Sequence, residues 1–128
     1  MAVVAPEEWI ARARYDIETA RAMLNARRYL YVLFCCQQAV EKALKAVIAK
    51  RTADTPPRLH NLIHLAERAA VETDESKAHL FRVLTSCYIQ SRYPEEIDAV
   101  DGGVTRAGAL ALLRQTEEML EWILSSIE

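Results

Sequence analysis

Helix breakers are scarce in this chain. Three glycines and four prolines occur among its 128 residues, and none of them lies between Glu7 and Thr55. A sandwich or barrel of β-strands needs Gly, Pro and Asn at every tight turn, so this supply is far too small for one. Ala, Leu, Arg and Glu are plentiful instead, and these residues lose little on entering a helix. The chain reads as all-α. At this length it forms one domain, and a chain of this size buries roughly two thirds of its unfolded surface. That is enough for a core without disulfides or metal.

Apolar spacing divides the chain into five helices. Pro6, Glu7 and Glu8 make a good helix start, with acids at the positive end of the dipole. Trp9, Ile10, Ala13, Ile17, Ala20 and Leu24 then recur at helical intervals. A second run from Tyr29 through Val32, Phe34, Cys36, Ala39, Val40, Ala43, Leu44 and Val47 is apolar around more of its circumference. It is expected to be central, with the other helices around it. Pro56-Pro57 breaks the chain, and a short third helix carries Leu62, Ile63, Leu65, Ala66 and Ala69 inward. Thr73-Asp74-Glu75-Ser76 caps a fourth, which Pro94 stops. Thr105 caps a fifth, with Leu110, Leu113, Thr116, Leu120, Ile123, Leu124 and Ile127 as its stripe. The expected bounds are residues 7–27, 29–51, 60–72, 75–92 and 105–127 of a single domain, 1–128. Short loops between them make an antiparallel five-helix bundle.

Net charge is −2, which gives no reason to expect DNA or a membrane as partner. The distribution is uneven. Lys42, Lys45, Lys50, Arg51 and Arg58 face one acid, Asp54, in the stretch that ends at His60, whereas the segment from Glu95 onward is strongly acidic. Cys35, Cys36 and Cys87 lie in apolar runs without a CxxC and read as buried free thiols. With no leader pattern and no long apolar run, the chain is expected to be cytoplasmic.

Catalytic signatures are mostly absent: no phosphate-binding Gly loop, no HExxH, no GxSxG and no paired-cysteine zinc spacing. No cofactor or metal is expected. His60 and His64 have the spacing of a two-histidine metal face on the third helix, but no third ligand accompanies them. The strongest local pattern is Gln37-Gln38-Ala39-Val40-Glu41-Lys42-Ala43-Leu44-Lys45. Its polar side chains either bond to other helices or face water, and elementary expectation favours water.

This run resembles the signature of the small prokaryotic HEPN domain proteins. Trp9, Asp16, Tyr29, His60-Asn61-Leu62, Tyr88 and Arg92-Tyr93-Pro94 fall at matching places, so the resemblance spans nearly the whole chain. It implies a five-helix bundle that often dimerises and a homodimer here. It also implies a minimal nucleotidyltransferase as partner. Many members of that family are metal-independent ribonucleases, often the toxin of a toxin–antitoxin pair. Their motif is an Arg followed, after four to six residues, by a His that moves the 2′-hydroxyl proton while the Arg steadies the phosphate.

Arg92 falls at the place of that arginine and is a weak catalytic candidate. Ile97, Asp98 and Ala99 occupy the histidine positions, and none of them replaces an imidazole. Arg58 and His64 reproduce the spacing, but ahead of the third helix and at chance frequency. The expected role is therefore a dimeric interaction module, leaning away from catalysis. Nucleotide or RNA phosphate would bind at a basic patch of Lys42, Lys45, Arg58, His60, Arg92 and Tyr93. The alternatives are a ribonuclease toxin with an atypical site and a ligand-free helical scaffold.

Overall fold

The computed structural model describes residues 4–90 and 104–127. Five helices account for nearly all of them: α1 (Pro6–Asn25), α2 (Tyr29–Thr52), α3 (Leu62–Ala69), α4 (Glu75–Gln90) and α5 (Arg106–Ser125). Helix α2 packs against each of the other four. Thirteen of its 24 residues are buried, and Val40 and Leu44 are fully enclosed, as a helix apolar on most sides requires. Each such side chain contributes about 1.5–3 kcal/mol by leaving water. The expected stripes of α1 and α5 also face this core, through Ala13, Ile17, Ala20 and Leu24 on α1, and Leu113, Leu120, Ile123 and Leu124 on α5.

The helix ends follow local chemistry. Asp74 Oδ1 accepts from the Lys77 amide at 2.8 Å, and Thr105 Oγ1 accepts from the Gly108 amide at 3.0 Å. These caps satisfy amides that have no partner within the helix. Helix α3 is shorter than residues 60–72. Asn61 is its cap, its side chain accepting from the Ile63 and His64 amides at 3.0 and 3.2 Å, and the left-handed Ala70 (φ 56°) ends it. His60 therefore precedes α3 rather than riding on it. Helix α1 likewise stops at Asn25, before the left-handed Arg27.

Two fastenings hold the proline linker and α3 in place. Arg51, in the last turn of α2, donates to the Ala69 carbonyl at 2.6 Å and the Ala70 carbonyl at 3.0 Å. It thereby satisfies the negative end of α3. Thr85 on α4 accepts from the Leu62 amide at 3.1 Å. Helix α3 is thus pinned at its end by α2 and at its start by α4. No helix among the described residues is long and apolar enough to cross a membrane.

Cys36 and Cys87 are buried, and Cys35 is half-buried. Burial pushes the Cys36 thiol up to about 12 and the Cys87 thiol up to about 11. Cys35 is also raised, by burial first and then by the Asp16 carboxylate. The thiolate is the reactive form, so all three should resist a thiol reagent while the chain is folded. At pH 8 we expect Cys35 to label first, and Cys36 and Cys87 to label no faster than the fold opens. Fast, equal labelling of all three in the native state would contradict this burial. The same shifts set a pH dependence. An unfolded thiol ionises at about 8.5, so this stability is whole below that pH and is lost as pH rises toward the folded values.

Candidate functional site

Gln37, Glu41 and Lys45 follow one another at intervals of four on α2, so their side chains form a polar seam along one side of an otherwise apolar helix. The seam does not face water. Gln37 is fully buried, Glu41 is 4% exposed and Lys45 is 7% exposed. This corrects the expectation of a solvated stripe, and the reason lies in partners supplied from elsewhere in the chain. His60 Nδ1 lies 2.9 Å from Glu41 Oε1. Gln37 Nε2 donates to the same oxygen at 3.0 Å and to the His60 carbonyl at 3.3 Å. Lys45 Nζ donates to Glu41 Oε2 at 3.1 Å. Gln38 completes the set by donating to Gln37 Oε1 at 2.8 Å.

This arrangement fixes protons as well as atoms. An ionised carboxylate only accepts, so Nδ1 of His60 carries the hydrogen in the bond to Glu41. Nε2 is then an acceptor in the neutral ring and a donor in the protonated one. Lys45 already balances the charge of Glu41, so a proton on His60 leaves the cluster with an excess positive charge. The His60 side chain is 45% exposed, whereas the Glu41 side chain is 6% exposed. The carboxylate is the buried anchor and the imidazole is the part that reaches the surface.

Aromatic residues from three segments frame the cluster. The His60 ring stacks on Tyr88 of α4 with centroids 4.4 Å apart, and Tyr88 stacks on Phe34 of α2 at 6.0 Å. Trp9 of α1 closes the other end, with Lys45 Nζ 5.7 Å from its ring centroid. The Trp9 indole N–H is buried and finds no acceptor among the described residues.

The remaining expected site residues are dispersed. Lys42 turns toward α1 and pairs with Asp16 at 2.6 Å, both half-buried. Arg58 is exposed in the linker, two residues from His60, with no ion pair among the described residues. His64 is exposed on α3 and does not share a face with His60. Arg92 and Tyr93 lie outside the described residues. Sequence reasoning placed Lys45 and His60 in the site but left out Glu41, Gln37, Phe34 and Tyr88. The signal for Gln37 and Glu41 was three polar residues, spaced by four, inside an apolar helix; that spacing marks neither Phe34 nor Tyr88.

A family model for the HEPN domain matches residues 6–127. The chain belongs to the HEPN domain family. Among solved structures, this HEPN chain is similar to TT1696 from Thermus thermophilus, at 25% identity and a TM-score of 0.80, over 95% of this chain and 98% of that one. It also shares its fold with ST0689, an archaeal HEPN homologue, at 23% identity and a TM-score of 0.76, over 98% of this chain and 100% of that one. A comparison with curated proteins finds no match.

Proposed function

We propose that this HEPN chain is a dimeric interaction module for a minimal nucleotidyltransferase and that it binds the phosphate of a nucleotide or RNA beside His60. The observation that carries the binding part is the buried Glu41 carboxylate, which holds a half-exposed imidazole at 2.9 Å. Its charge is already balanced by Lys45, so a protonated His60 is free to serve an outside anion. Arg58 adds an exposed cation two residues away. Lys42 and Lys45 belong to this reading as paired groups that shape the site, since Asp16 and Glu41 offset their charges. Arg92 and Tyr93 enter it through the family resemblance, as does the dimer. The missing histidine after Arg92 supports binding over cleavage.

Calorimetric titration with ATP and with a short 5′-phosphorylated RNA tests this reading. Binding should weaken steeply with salt, and Arg58→Ala should weaken it about tenfold, the usual worth of a charge-assisted hydrogen bond. No binding of either probe at millimolar concentration would leave a ligand-free scaffold. Cleavage of the RNA by the purified chain would favour a ribonuclease instead.

A further inference from the structure

The phosphate reading uses the edge of His60 and leaves its face without a role. That face is unusually well held. Glu41 fixes the Nδ1 edge at 2.9 Å, and Gln37 pins the residue's carbonyl at 3.3 Å. Tyr88 covers one side of the ring at 4.4 Å and an interplanar angle of 22°. Tyr88 is itself backed by Phe34 at 6.0 Å and 24°. The three rings form a ladder rising from α2 through α4 to the linker, with His60 as its outermost rung. One face and one edge of His60 are thus taken, which leaves the face opposite Tyr88 and the Nε2 edge to meet a ligand, on a side chain that is 45% exposed.

We propose that this outer face is a stacking platform for the nucleobase of the bound nucleotide, with its phosphate held at Arg58 and the Nε2 edge. The inference rests on the phosphate-binding reading and adds the part of the ligand that it leaves unassigned. Every base has a flat π-face, and a base gains by stacking on an aromatic ring whatever its identity. A ring already immobilised by Glu41, Gln37 and Tyr88 loses little freedom when the base arrives. The platform therefore selects nucleotides over bare phosphates without selecting strongly among the four bases.

Paired titrations with ATP and with inorganic tripolyphosphate, at equal ionic strength, separate the face from the charge. ATP is expected to bind about tenfold tighter, the lower range for one stacked base. His60→Phe should keep most of that margin and His60→Ala should remove it, while Arg58→Ala weakens both probes together. In the wild-type chain, proton NMR should show the His60 ring protons shifting upfield with ATP and not with tripolyphosphate, which needs no variant to fold. Equal affinity for the two probes would overturn the platform and leave the phosphate site standing. His60→Phe behaving like His60→Ala would also overturn it, since the ring's edge and not its face would then be at work. Failure of both probes to bind at millimolar concentration would remove the phosphate site and the platform with it.

Discussion

Glu41→Ala is expected to destabilise the folded chain by about 3–5 kcal/mol, because it strands the Lys45 ammonium in the interior. Lys45 is 7% exposed, and Glu41 is its ion-pair partner at 3.1 Å. Without the carboxylate, the Gln37 amide also loses an acceptor in a fully buried position, which adds to the penalty. Urea unfolding should show the midpoint falling with little change in slope. The double variant Glu41→Leu/Lys45→Met should recover much of the loss, since well-packed apolar residues can replace a buried pair. Recovery of stability there, together with loss of the proposed nucleotide binding, would separate the seam's effect on folding from its effect on the site. A loss below about 1 kcal/mol in Glu41→Ala would place the seam in water and contradict the burial described above.

Phe81→Ala should be comparably severe, at about 3–5 kcal/mol, for a different reason. Phe81 is fully enclosed and anchors α4 among the largest buried side chains of the core. Truncation leaves a cavity that the surrounding helices cannot close fully. Its carbonyl also accepts from Thr85 Oγ1 at 2.8 Å, and Thr85 in turn holds the start of α3 at 3.1 Å. The linker and Tyr88 depend on the same helix, so ligand binding should weaken along with stability. Tyr15, 69% exposed on α1, provides the control: Tyr15→Ala should stay within about 0.5 kcal/mol of wild type. Similar losses in the two variants would mean that α4 is not packed as described.

The fold was legible because helical periodicity and core burial are nearly the same signal here. Val40 and Leu44 sit in a run apolar on most sides, and such a run has nowhere to go but the centre of a bundle. Boundaries were less legible. The ends of α3 depend on an Asn61 cap and a left-handed Ala70, features of single residues that periodicity does not register. The candidate site was legible only in part. Lys45 and His60 stood out by charge and by resemblance, but polar spacing on α2 says nothing about whether water or another segment meets it. The partner that decides this, His60, is 19 positions away from Glu41 and arrives by a proline linker whose path no local pattern encodes. The pairing of Lys42 with Asp16 was illegible for the same reason, since it spans 26 positions.

An open groove of about 510 Å³ between α4 and α5, lined by Lys77, His79, Met119 and Trp122 among others, is the rival location for a ligand. It contains none of the Glu41 cluster, and Lys77 already covers the Trp122 ring at 4.5 Å. The chain's three histidines distinguish the two places, because His60 belongs to the cluster, His79 to the groove and His64 to neither. Nitrogen-resolved NMR of the three imidazoles tests the organising role of Glu41 most directly. His60 is expected to carry its proton on Nδ1 in the neutral form and to be the ring whose Nε2 signal moves when ATP is added. A His60 protonated on Nε2 in the neutral form, or a response confined to His79, would contradict it.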